Sequence, residues 1–185
     1  MLVIDFQNID VKELPELLPE DSNCQKRKPT DYQDNIPEQY HAKQFGLNLR
    51  SCNIQSLFGL GQLVFETVWV PDNLVYLDVS SNQLTSMKGV EECPNLKIFY
   101  AQGNNISDIN EVQLLLQLRE LQSIKLHGNP IILLSNFRQY LIETLPWLKN
   151  IDSVPVTSND KVWADYNKSL GNIDLKKRNN VVLRK

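Results

Sequence analysis

Four stretches of the chain place apolar residues at the same offsets: QFGLNLRSCNI at 44–54, LVYLDVSSNQL at 74–84, LKIFYAQGNNI at 96–106 and LQSIKLHGNPI at 121–131. Places four, six and eleven are Leu47, Leu49 and Ile54; Leu77, Val79 and Leu84; Phe99, Ala101 and Ile106; Ile124, Leu126 and Ile131. Places four and six are two apart, so they face one side of a strand and turn that side toward a core. Place nine is Cys52, Asn82, Asn104 or Asn129, where the strand has ended and the chain must turn. A buried Asn supplies both a donor and an acceptor, so it can satisfy the backbone groups that such a turn leaves open. These four residues are therefore expected to form a structural ladder inside the stack.

The copies start at 44, 74, 96 and 121, so the steps are 30, 22 and 25 residues. A 22-residue unit leaves about a dozen residues for a short helix or 3₁₀ turn on the outer face. In the second copy Leu84, Met87 and Val90 point inward at steps of three. In the third, Ile106, Ile109, Val112, Leu115 and Leu118 continue that step, and the extra residues predict one more helical turn. The longest step contains Leu57, Leu60, Leu63, Val64, Val68 and Trp69 at helical spacing, and Pro71 stops that helix.

After the fourth copy the pattern changes. Ser135 or Asn136 can cap a helix with Phe137, Tyr140, Leu141 and Leu145 on one face, and Leu148 and Ile151 follow as an edge segment. A stacked array needs such an end, because its last unit otherwise exposes apolar surface and an unpaired strand edge. The expected architecture is an α/β solenoid: a horseshoe segment of about four leucine-rich repeats with parallel concave strands and a C-terminal helical cap. Residues 1–43 read as an extended N-terminal arm, 44–157 as the repeat domain with its cap at about 132–157, and 158–185 as a short helix with a basic tail. The apolar start of the arm, with Leu2, Val3, Ile4 and Phe6, suits docking on the solenoid, where it would cover the first strand edge, or on a partner. Val162, Trp163, Tyr166 and Leu170 can share one face of the short helix, and the plainest expectation packs Trp163 against the cap.

The repeat pattern and the closing FRQYLIETLPWLKNIDSVPVT resemble the short-repeat, SDS22-like class of leucine-rich proteins, which includes a phosphatase regulator and the U2 spliceosomal A-prime protein. Within that class the chain is similar to the family of leucine-rich repeat-containing protein 51. The likeness rests on the LHGNP turn at Leu126 to Pro130, the cap helix start at Phe137 to Tyr140, and the Val162-Trp163 pair ahead of Lys176. It implies a noncatalytic, cilium-associated protein and a component of the axoneme within a large hetero-complex. The wider class offers an alternative, a regulatory subunit that holds an enzyme such as a phosphatase on its concave face. It also offers a ribonucleoprotein component.

Composition narrows these choices. The net charge of −3 argues against general nucleic-acid binding, which draws on phosphate neutralisation. No apolar run approaches the length of a membrane span, and the start MLVIDFQNID is unlike a signal peptide. Cys24, Cys52 and Cys93 have no metal-ligand spacing and read as thiols of a reducing, cytoplasmic compartment. No P-loop, nucleophile elbow or dinucleotide fingerprint occurs, and His41 and His127 lie in no ligand cluster. Neither catalytic residue, cofactor, metal, nucleic acid nor membrane is expected; the partners are proteins. The ends are polarised: residues 1–22 hold six acids against Lys12, and the last ten residues hold five basic side chains and no acid. Such a tail suits solvent or an acidic protein surface.

The candidate site is the side of the strands opposite the core. It carries Asn48, Arg50, Asp78, Ser80, Tyr100, Gln102, Lys125 and His127 at places five and seven, with Tyr76 and Ile98 at place three. Strands about 4.8 Å apart make this a curved face roughly 15–20 Å along the stack, a width that suits a partner's helix or loop. Tyr and Arg are the residue types that most often anchor such contacts.

Overall fold

The computed structural model describes residues 1–24, 28 and 36–169. Seven strands form one sheet in sequence order: β1 (Leu2–Asp5), β2 (Phe45–Asn48), β3 (Leu74–Asp78), β4 (Ile98–Tyr100), β5 (Ser123–Lys125), β6 (Asn150–Ile151) and β7 (Val154–Pro155). The first six run parallel and β7 turns back antiparallel on β6. Ile4, Leu47, Leu77, Phe99, Ile124 and Ile151 align across the sheet as its fourth-place row. All six are buried. Each such side chain removed from water contributes about 1.5–3 kcal/mol, and the row binds each unit to the next.

The four expected repeats are β2 to β5 with their return segments, and the sheet does not stop there. Residues from Leu2 onward, read from the sequence as part of an arm, form a further divergent unit. Ile4 and Phe6 are fully buried, Val11 N–H donates to Cys52 O at 3.0 Å, and Leu14 and Leu17 continue inward as later copies do. Its place nine is Ile9, which is why the ladder residue gives no signal there. Of the two docking choices open to this segment, it takes the solenoid and covers the β2 edge.

The return segments follow their spacing. Ile109–Gln117 is a 3₁₀ helix, whose three-residue period matches the inward step of Ile109, Val112 and Leu115. The longest step holds α2 (Leu60–Thr67), after α1 (Glu38–His41), and Tyr40 of α1 stacks on Trp69 at 4.8 Å between ring centroids. The cap helix α3 (Phe137–Thr144) starts after Asn136, which sits at φ 64° and gives no side-chain cap. Helix α4 (Ser158–Ser169) packs on α3 through Ala164. Trp163 does not join that contact. It is 61% exposed, because Ala164 occupies the inward side of α4 and Trp163 lies on the other. Leu170 and the basic tail lie outside the described residues.

Candidate protein-binding face

The Asn ladder makes the strand ends rigid. Asn82 Oδ1 accepts from Cys52 N at 2.9 Å and Ile54 N at 3.1 Å, while Nδ2 donates to Leu49 O and Val79 O. Asn104 accepts from Leu84 N and donates to Val79 O and Ala101 O, and Asn129 accepts from Ile106 N and donates to Ala101 O and Leu126 O. Each Asn thus ties its own turn to the preceding unit. Cys52 fills the same place with its thiol, which donates to Phe6 O at 3.0 Å. Burial pushes this thiol's pKa up and keeps it protonated for that role. At the other end Asp152 closes the series, its Oδ1 accepting from Leu126 N at 2.7 Å and His127 N at 2.9 Å. Sequence reading missed Asp152 because it belongs to the cap and not to a repeat copy.

On the concave side one row runs Val3, Gly46, Tyr76, Ile98, Ser123, and the next runs Asp5, Asn48, Asp78, Tyr100, Lys125. Gly46 matters here: a Cβ on it would stand 2.8 Å from Tyr76 Cδ1, so the ring lies close against bare backbone. Tyr76 meets Tyr100 edge-on at 5.5 Å, and Lys125 Nζ lies 4.1 Å from the Tyr100 ring centroid. The Tyr76 hydroxyl donates to Asp78 Oδ2 at 3.1 Å. Burial first, and the Asp78 charge second, hold this phenol well above the ordinary tyrosine range, so it stays a donor.

The candidate residues do not all offer the same surface. Asp78 and Ser80 face this side but are buried, and the Asp78 carboxylate is engaged by Ser80 N at 2.9 Å, the Ser80 hydroxyl and Tyr76. They orient Tyr76 and leave little for a partner to touch. Asn48 is likewise engaged with Asp5 Oδ1 at 3.0 Å. Tyr76, Ile98, Tyr100, Gln102 and Lys125 are half-buried, and Arg50 and His127 are exposed. The Gln102 Oε1 atom is buried with no donor among the described residues. No group of three or more His, Cys, Asp or Glu able to hold a metal ion occurs among the described residues, and no described helix is long and apolar enough to cross a membrane.

Parallel strands with an Asn ladder, outer 3₁₀ returns and a helical cap define a leucine-rich repeat protein, a fold that presents a concave face for protein contact. The chain is related to the proteins called leucine-rich repeat-containing protein 51. The protein of that name from Bos taurus is 41% identical over 108 residues, covering 58% of this chain and 56% of its own. The Homo sapiens protein is 35% identical over 125 residues, covering 67% of this chain and 65% of its own. The chain thus spans between about half and two thirds of the length of these curated relatives. A chain in the crystal structure of the Drosophila melanogaster SNF/U2A′ complex superposes with a TM-score of 0.67 at 19% identity, over 95% of this chain and 87% of that one. That likeness concerns the fold. No family model matches the chain.

Proposed function

We propose that this protein is a noncatalytic scaffold or adaptor that holds a partner's helix or loop on its concave face, as a component of the ciliary axoneme. One observation carries the binding reading: Tyr76, Tyr100 and Lys125 form a contiguous, preorganised aromatic and cationic row on a rigid sheet. A row already fixed by Gly46 and Asp78 loses little side-chain freedom on binding, which favours affinity. Arg50, Ile98, Gln102 and His127 surround it. The axonemal setting follows from the resemblance to the protein 51 family.

The test is cross-linking mass spectrometry on isolated cilia, reading links from Lys125 on the face, Lys97 ahead of β4 and Lys161 on α4. Links to defined axonemal proteins, weakened for Lys125 by Tyr100→Ala, are the expected result. A protein found wholly in the soluble cell fraction, bound to a phosphatase catalytic chain through the same face, would replace this reading with the regulatory-subunit one.

A further inference from the structure

We infer that the protein associates head to tail with further copies of itself, the outward face of α4 in one copy seating on the acidic N-terminal end of the next. At 100° per residue Val162, Tyr166 and Trp163 share one sector of α4, and Ala164 lies on the opposite side. Ala164 is 4% exposed, whereas Val162, Trp163 and Tyr166 are 66%, 61% and 54% exposed. The helix therefore buries its smallest apolar residue and shows its largest ones. Trp163 and Tyr166 meet edge-on at 6.0 Å, which makes the three a patch rather than scattered exposure. The chain that continues from α4 carries KKRNNVVLRK at 176–185, with five basic residues and no acid.

The opposite end of the sheet is complementary in both respects. A cavity of about 270 Å³ lies between the first return segment and α2, lined by Leu14, Pro15, Leu17, Leu18, Leu63 and Glu66 among others. Leu18 at its rim is 58% exposed, and Glu16 and Asp21 are exposed beside it. These two carboxylates accept from Glu13 N and Leu18 N, so they hold the local backbone and still present negative charge. Residues 1–22 hold six acids and one base. An apolar groove with an acidic rim matches an aromatic patch followed by a basic segment.

The contact must be between molecules. The seven strands run in order from β1 to β7, and six steps of about 4.8 Å put about 29 Å between the two ends. A helix docked on the cap cannot reach the first unit of its own chain. A contact between two different patches leaves a free head and a free tail at the ends of each complex, so assembly continues until the rotation between copies closes a ring or, where it does not close, as an open chain.

Sedimentation velocity on the 185-residue chain tests this. Mass should rise with concentration from the micromolar range upward, and molar salt should lower it by screening. Trp163→Ser with Tyr166→Ser should weaken association at least tenfold, and Leu18→Arg should do so by placing a charged side chain at the rim of the apolar groove that the α4 patch enters. All three positions are exposed, and circular dichroism will show that folding is kept. Each variant alone should remain monomeric, while a mixture should form a heterodimer and stop, since only one good head and one good tail remain. A monomeric wild type at every concentration overturns the inference, as does self-association indifferent to these substitutions or a mixture that fails to pair. A wild type that stays monomeric but binds poly-glutamate or anionic vesicles through Trp163 also overturns it and assigns the face to another partner. None of these outcomes bears on the concave face, whose partner is read separately.

Discussion

At Asn104 one carboxamide serves three backbone groups from two repeats: Leu84 N, Val79 O and Ala101 O. Asn104→Ala leaves Leu84 N buried without its acceptor, at about 1–3 kcal/mol, while Val79 O keeps Asn82 Nδ2 and Ala101 O keeps Asn129 Nδ2. We expect a loss of about 2 kcal/mol in urea unfolding, with an unchanged dependence on denaturant. Cys93 obeys a different rule. Burial, and then the Glu92 charge, push its thiol up to about 12. Because the folded-state pKa is raised, the stability linked to this proton is fully present below the ordinary thiol range and is lost as pH rises from about 8.5 toward 12. Native Cys93 should resist alkylation at pH values where the denatured chain reacts within minutes, and quantitative mass spectrometry of labelled peptides will read this.

The return segments show how spacing becomes structure. Leu84, Met87 and Val90 were legible as an inward row by their steps of three, the last of them opening the 3₁₀ turn Val90–Glu92, and all three are fully buried. What the pattern left invisible is Gly89, at φ 109°, where a Cβ would stand 2.6 Å from Leu57 O. Gly89→Ala should cost about 2 kcal/mol or more, since the left-handed backbone and the neighbouring carbonyl both oppose it; thermal unfolding will measure it. Helix α4 begins with a reciprocal cap, Thr157 N donating to Asp160 Oδ2 at 2.9 Å and Asp160 N to Thr157 Oγ1 at 3.1 Å. Those bonds, and then Arg138, lower the Asp160 pKa. A lowered carboxylate stabilises above its unfolded pKa of about 3.9, and that help disappears as pH falls through the folded value. Asp160→Asn should fray α4 at neutral pH and remove the acid-dependent step in its amide exchange. The Trp163 expectation failed at this scale, because a helical face alone does not say which side meets the cap.

At the scale of the molecule the repeat strands β2 to β5 are flanked at both ends, by β1 with its return segment and by the β6–β7 turn with α3. Removing residues 1–24 uncovers β2 and deprives Cys52 of Phe6 O. That truncated chain should unfold at markedly lower urea concentration and aggregate on standing, as an open strand edge invites. On the concave face Tyr100→Ala should weaken a captured partner by about 2 kcal/mol, roughly thirtyfold, with stability changed far less. Titration calorimetry with that partner will separate the two effects.

The apolar rows, the Asn ladder, the inward 3₁₀ step and the cap helix followed from the sequence alone, because each is a local period imposed by strand or helix geometry. Three features belong to the tertiary structure. The β1 unit was hidden because Ile9 replaces the turn residue, and only pairing with β2 identifies it. Asp78 and Ser80 withdrew from the accessible face because β3 is seated between β2 and β4, and that burial is set by strand packing and by no spacing along the chain. Trp163 faces outward because α4 docks through Ala164, a choice made by how closely two helices can approach and by no spacing along the chain.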